Sequence, residues 1–392
     1  NQQKPSYFTL DNGRLFAFAV FLAAASLWVT PYLPLVDLPQ HTAQVVSLQE
    51  LWAGTPMFRD TFTLQWFQPY TLTYLILYTL ALVMPVTLAS KVFVTVMIVA
   101  IPLLTGRLLK ELGAQVGLRW LAIPCGFGVA FHWGFLPFMG AVPMGLLLVL
   151  LTIRFGREPT LARGIGIAAA TFLLFFFHVI ALGAVALLCL GYLVFLKQNY
   201  RNLPQLARLW LPYTAGLPPM AYWFITTLNR ESYVQGADIN FGLWWERPLA
   251  LLSLPMGFGF TEILPAAALG LVVFLYPLIS GARFTQQPER RALLGTLVLL
   301  LLIMPTSAFG AIFLYPRLSV FLLPIFLLAW DYPKDQQPRF AGVIIAIIFA
   351  ISATNVYRFS IYGQNMTDLH RTINVMEPQK YVRYVGATQN TP

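Results

Sequence analysis

Asp37 follows directly on the first long apolar run of the chain and opens the segment PLVDLPQHTAQVVSLQELW, residues 34–52. An acid beside a membrane-length apolar run is costly to keep, so it is a functional candidate by default. Here it would serve as a general base at a membrane–water boundary. Pro39 suits the first turn of a helix with Asp37 or Leu38 near the cap. The competing role for Asp37 is therefore that of a plain N-cap. From Gln40 onward, His41, Gln44 and Ser47 set against Val45, Val46, Leu48 and Leu51 predict a helix lying on a membrane surface. Asp37 and His41 are four residues apart and share a face if the turn is helical. His41 is thus a candidate substrate contact.

The cations that could answer such a base are few. Arg317 sits in LYPRLSV at the apolar start of a span. A guanidinium there is either snorkelling to headgroups or holding an anion such as a phosphate bidentately. Glu246 and Arg247 in WWERP, and Arg230 in NRES, fall in a second long loop. Arg247 and Arg230 read as solvated loop charges, while Glu246-Arg247 could alternatively contact a substrate or form a rim ion pair of little energetic weight. His178 ends the apolar run LLFFF at a predicted helix junction, on the side of Asp37 in the topology below. His132 lies in FHWGFLPF. A histidine among apolar residues is commonly a satisfied core group, with substrate contact as the alternative for His178. The spacing of these residues supports no metal site, and no cofactor is expected. The chain carries no nucleotide phosphate loop, no serine nucleophile elbow and no zinc-binding His-Glu-x-x-His helix.

The elements that must position these residues follow from composition. Of 392 residues, 58% are hydrophobic and only 10% charged, against roughly a quarter charged in soluble domains. Lipid is the solvent that fits, and lipid-exposed backbone must satisfy its own hydrogen bonds, so the spans are expected to be helices. Runs such as LLGTLVLLLLIM (293–304) lack the alternation of a barrel strand. The net charge of +10 lies mostly in short loops and reads as topology signal and headgroup contact, not nucleic-acid binding. Cys125 and Cys189 fall inside apolar runs and read as core packing.

Spans are predicted near 14–33, 69–86, 88–106, 120–153, 164–178, 179–196, 209–227, 262–280, 291–308, 311–330 and 340–354. Residues 15–29 after Arg14 resemble a signal-peptide core. The run continues to Leu33 without a cleavage pattern, so an uncleaved span is expected. The stretch 120–153 holds Pro124, Gly134, Pro137, Gly140 and Pro143 and is expected to contain a broken or re-entrant piece. Clusters Arg154/Arg157/Arg163, Lys197/Arg201/Arg208, Arg283/Arg290/Arg291 and Lys334/Arg339 are expected on the cytoplasmic side. The expectation is an all-α bundle of about eleven crossings over 1–354. The N-terminus would be cytoplasmic, loops 34–68 and 228–261 outside, and 355–392 a polar outer tail. Arg107, Lys110 and Arg119 fall on the outer side in this scheme, against the charge rule.

A carboxylate just after the first span, a surface helix, and a span re-entering at Pro69-Tyr70 resemble the layout of the C-type (GT-C) membrane glycosyltransferases. The motif DLPQH (37–41) resembles one found in bacterial polytopic proteins. The layout covers most of the chain, and the motif about five residues. The resemblance implies an enzyme of the bacterial inner membrane using a polyprenyl-phosphate-linked sugar on the periplasmic face, with Asp37 in the place of the family's first-loop acid. The acceptor would be a glycan, lipid or protein. Asp37 is followed by Leu38 and not by a second acid, a departure that bears on any metal-dependent variant. A lone carboxylate base implies direct displacement with inversion, and the leaving phosphate needs positive charge. The competing functions are a polytopic transporter or lipid flippase, or a non-catalytic subunit of an envelope glycan assembly complex. A transporter predicts mid-membrane ionisable residues and two related halves. Mid-span charges are nearly absent and no repeat is evident.

Overall fold

The computed structural model describes residues 9–228, 238–256, 263–308, 310–333 and 338–374. Arg230, Lys334 and the tail beyond 374 lie outside the described residues. The fold is all-α. The first half holds α1 (Gly13–Ala25), α2 (Leu38–Ala53), α3 (Pro56–Thr61), α4 (Thr71–Ala81), α5 (Val86–Glu111), α6 (Val129–Trp133), α7 (Leu136–Arg157), α8 (Leu161–Phe177) and α9 (Val179–Phe195). The second holds α10 (Leu203–Trp210), α11 (Leu217–Leu228), α12 (Arg247–Ser253), α13 (Ile263–Ile279), α14 (Pro288–Ile303), α15 (Leu314–Leu318), α16 (Leu322–Leu327) and α17 (Ala341–Asn374). A two-stranded antiparallel ribbon pairs β1 (Arg283–Phe284) with β2 (Trp330–Asp331).

Local chemistry accounts for many of the boundaries. Asn12 caps α1, its side-chain oxygen accepting from the amides of Arg14 and Leu15 at 3.2 Å, which satisfies two of the helix's orphan donors. Thr160 and Asn202 each accept from one amide, Arg163 N and Gln205 N, at the starts of α8 and α10. Gly54 ends α2 in the left-handed conformation, φ 84°, where glycine has no steric cost.

Helix α7 is the centre of the bundle: 78% of its most apolar stretch is buried, against 28% for α17. Glycines let its neighbours close on it. A Cβ at Gly140 would stand 2.5 Å from the Phe177 ring, and one at Gly156 2.5 Å from Leu196. Small residues at helix contacts are how apolar helices pack tightly when lipid offers no hydrophobic driving force.

Among the described residues four helical stretches are long and apolar enough to cross a membrane: Val86–Glu111, Leu136–Arg157, Val179–Arg201 and Ala341–Leu369. A protein with membrane-spanning helices follows from that, although the count of eleven does not. Several expected spans take other forms, and two of them bear on the site. Over 69–86 the chain makes α4, 11 residues and about 16 Å long, half the roughly 30 Å of a bilayer core. It lies beside α2, with Trp52 against Tyr78 at 4.2 Å and Gln49 Nε2 donating to Ala81 O. The stretch 120–153 divides into two 3-10 turns (Val116–Ala122 and Pro124–Phe127), then α6, a turn at Gly134, and α7.

Ion pairs fix the direction of travel. Glu111, closing α5, pairs with Arg154 at 2.8 Å and Arg157 at 3.1 Å, which close α7. The two helices therefore run parallel, and 112–135 carries the chain back between them. Lys110 at the end of α5 thus lies at the same end of the bundle as Arg154 and Arg157. Arg119 packs on Phe16 of α1 and beneath Gly106 of α5. Their expected place at the Asp37 end fails because the reversal falls one element later than hydropathy suggests. The Arg-rich end also holds Arg290, bonded to Asp331 at 2.6 Å. The boundary drawn at 354/355 falls inside α17, one continuous helix of 34 residues.

Candidate functional site

The opposite end of the bundle gathers Asp37, His41, His178 and Arg317. Asp37 is the N-cap residue of α2 by position, at φ −87° and ψ 0° and not the extended backbone usual for caps, and its side chain makes no cap hydrogen bond. Pro39 sits in the first turn and brings no amide to be capped. The half-buried carboxyl forms no hydrogen bond or ion pair with any described residue, and the task of tying down its own helix is not what holds it. Its backbone is held instead. Val36 N donates to His132 O at 3.1 Å and Asp37 N to Trp133 O at 2.9 Å, stitching the start of α2 to the turn after α6. Gly134 makes that seam possible. Its φ is +76°, and a Cβ there would stand 3.0 Å from Leu35 Cβ and 3.1 Å from Asp37 N.

His41 lies one turn along α2, 9% exposed. Its Nδ1 meets the Tyr74 hydroxyl of α4 at 2.8 Å, and the Gly134 backbone supplies a second hydrogen bond. Burial pushes its pKa below the usual 6.5, opposed in part by the neighbouring Asp37 charge and the Gly134 bond. His41 is thus a neutral tie joining α2 to α4 and to the Gly134 turn.

Arg317 projects from α15. Its Nη1 lies 3.3 Å from His178 Nε2. A guanidinium only donates, so His178 Nε2 accepts and the imidazole carries its proton on Nδ1. That Nδ1, and Arg317 Nε, are buried without a hydrogen-bond partner. The guanidinium lies 3.9 Å above the Phe135 ring and is hydrogen-bonded to Tyr70. The Asp37 charge reaches Arg317, His41 and Tyr74 alike. His178 is the single extended residue between α8 and α9, packed against Tyr70 at 5.1 Å and Phe138 at 5.0 Å.

Two residues flanking this cluster carry backbone strain. Tyr70, before α4, has φ 78°, and Phe313, before α15, has φ 56°. Left-handed backbone is uncommon outside glycine and costs on the order of 1–3 kcal/mol, and it concentrates at working sites. Phe313 packs on Trp133 at 4.6 Å, closing an aromatic wall beside the cation. Such a wall excludes water and strengthens the field of the guanidinium.

The loop pair Glu246-Arg247 lies apart from this cluster. Arg247 is 1% exposed. It donates to Leu301 O, Leu302 O, Met304 O and Phe241 O at 2.6–2.9 Å, and sits between the rings of Trp244 and Tyr315 at 4.0 and 4.5 Å. The expectation of a solvated or substrate-facing cation at this position gives way: the guanidinium satisfies the orphan carbonyls at the C-terminal end of α14. It reaches the site only through Tyr315, two residues before Arg317. Glu246 is exposed beside it.

Sequence reasoning named Tyr70 at the start of a re-entering span, and passed over Tyr74, Phe135 and Phe313. Only Pro69 before Tyr70 hinted at a special turn. Among the described residues no group of three or more His, Cys, Asp or Glu side chains is arranged to hold a metal ion. No protein-family model, curated relative or solved structure matches the chain.

Proposed function

We propose that this protein is a multi-pass inner-membrane glycosyltransferase that moves a sugar from a polyprenyl-phosphate donor to an acceptor on the periplasmic face. The Asp37 carboxylate takes the proton of the acceptor hydroxyl as its oxygen attacks C1 of the donor sugar. The C1–O bond to phosphate breaks on the opposite face, and its electron pair leaves with the polyprenyl phosphate. The anomeric carbon inverts. Arg317 meets the charge developing on the leaving phosphate. His178 Nδ1 and Arg317 Nε, both lacking acceptors, suit an oxygen-rich anion, since each orphaned donor otherwise costs about 1–3 kcal/mol.

The observation that carries this reading is an acid that its own helix does not use, sharing one electrostatic environment with a guanidinium from the far end of the chain. The resemblance to GT-C enzymes supports the same reading, and the clustering of basic residues at the other end of the bundle supports a site facing outward with the N-terminus cytoplasmic. About eleven crossings accommodate this orientation if 112–135 forms one of them.

The test uses the full chain in lipid nanodiscs with a panel of polyprenyl-phosphate hexoses and sugar acceptors. Release of polyprenyl phosphate and formation of an inverted glycoside are expected from the wild type, with loss in Asp37→Asn and Arg317→Gln. Release that continues at the wild-type rate in Asp37→Asn removes the base from the mechanism. Lipid translocation in proteoliposomes without any transfer would establish the flippase alternative instead.

A further inference from the structure

Beside the Asp37 site, a cleft of about 330 Å³ opens between α2, the segment 62–66 and α4. We propose that it binds an uncharged pyranose glycan, and that within the transferase reading it seats the acceptor. Seating the acceptor rests on that reading; binding the glycan does not.

The lining decides the ligand class. Most of the wall is apolar, from Leu48, Leu51, Phe62, Leu64 and Leu75 with the Trp66 ring, and Gln44, Ser47 and Gln65 set polar groups along it. No Asp, Glu, Lys, Arg or His contributes to the wall. A phosphate, carboxylate or ammonium ligand would be desolvated there without a counter-charge. A hydrocarbon tail would match the apolar part of the wall but would leave the Gln44 amide and the Ser47 hydroxyl without partners. Thr71 and Tyr74 already bond within the protein. A pyranose has both features the cleft offers to match: a hydroxyl rim for amide and hydroxyl partners, and an apolar C–H face for an aromatic ring. The volume lies at the small end of ligand pockets, enough for one or two rings.

The aromatic face is held ready. Trp66 is 48% exposed and stacked on Trp52 at 5.9 Å with 23° between planes, and Trp52 stands edge-on to Tyr78 at 4.2 Å. Three rings on three segments fix the platform in advance, which lowers the ordering cost of binding. Tyr74 is the shared wall: it lines the cleft, and its hydroxyl holds His41 at 2.8 Å. His41, one helical turn from Asp37, ties that wall to the base. The cleft begins on α2 at Gln44, about 10 Å along the helix from Asp37, so a glycan seated there reaches Asp37 with a ring that extends out of the cleft.

Saturation-transfer NMR on the full chain tests this. Nanodiscs are required because maltoside detergents are themselves glycans. The probes are methyl glucoside, methyl galactoside, methyl mannoside and N-acetylglucosamine, with glucuronate and geranylgeraniol as charged and hydrocarbon comparators. At least one neutral sugar is expected to bind. Trp66→Ala and Gln44→Leu should each weaken it about tenfold, Trp66→Phe less, and Asp37→Asn not at all. Trp66 is half exposed and Gln44 lies on a helix surface, so both variants are expected to fold, as thermal melts would verify. Binding of none of the neutral sugars, a preference for glucuronate, or Trp66-dependent binding of geranylgeraniol alone would each overturn the proposal. Sugar binding without any transfer would leave the cleft standing and defeat the transferase reading. Transfer without sugar binding in the cleft would do the reverse.

Discussion

Arg317 and His178 meet at 3.3 Å across 139 residues of sequence. The contact makes the imidazole an acceptor at Nε2 and leaves its other nitrogen a buried donor without a partner. The cation is held by a neutral histidine, a tyrosine and an aromatic face, with no carboxylate of the described residues in direct contact, and Asp37 is the nearby acid whose charge acts on it.

Arg317→Lys is therefore expected to behave as a severe change. An ammonium cannot hold His178 and Tyr70 together or present a planar fork to phosphate. Donor turnover should fall at least 100-fold while thermal stability falls by only about 1–3 kcal/mol, the scale of one unmade buried hydrogen bond. Parallel melting curves and donor-release assays on the same preparation check the separation. Equal losses in both would show that Arg317 is only a packing residue.

Asp37→Asn should leave the melting temperature unchanged, within about 0.5 kcal/mol of the wild type, because the carboxyl holds no described group. A general base contributes about 100- to 10,000-fold to rate, and loss on that scale is expected. Destabilisation by about 2 kcal/mol or more, the scale of a lost buried hydrogen bond, would mean the acid is a fold determinant after all.

Gly134→Ala tests the seam that positions Asp37. Left-handed backbone costs an ordinary residue roughly 1–2 kcal/mol, and the added Cβ would press on Leu35 and the Asp37 amide at 3.0–3.1 Å. The variant should fold with lowered stability and lose activity beyond what the stability change explains. Activity measured well below its melting temperature provides the check.

His41 gives the pH signature. Its folded pKa lies below the ordinary 6.5, so the unfolded chain binds more protons in the window from about 6.5 downward. Stability is then flat above that window and falls as pH drops through it. The groups facing the ring are Tyr74, Asp37 and the Gly134 backbone. His41→Gln should flatten the acid limb of a melting-temperature profile between pH 7 and 5. An unaltered limb would assign the dependence to other groups.

Arg247→Met removes four donated hydrogen bonds to backbone carbonyls. The expected cost is at least about 3 kcal/mol, since the α14 carbonyls lose buried partners. Reduced expression and a lower melting temperature would show it. A variant that melts like the wild type yet loses sugar transfer would return Arg247 to the substrate.

Much of this was legible in the residues themselves. Apolar runs report partition into lipid, and the long helices α5, α7, α9 and α17 all lie on such runs. Asp37 before Leu38-Pro39 reads as a helix start, and α2 begins at Leu38. These are short-range properties, set by hydropathy, capping and the missing proline amide. What lay beyond the sequence was who partners whom. Nothing local tells Arg317 from Arg247, two arginines in aromatic, proline-bearing surroundings, yet one waits beside an acid and the other is spent on the end of α14. Nor does hydropathy reveal that α4 stops short or that α5 and α7 run parallel, since an apolar segment is equally content crossing lipid or packing along another helix. Direction and partnership are chosen by packing between elements far apart in the chain. A buried charge takes whichever partner the assembled bundle brings within hydrogen-bond reach, and that selection exists only in three dimensions.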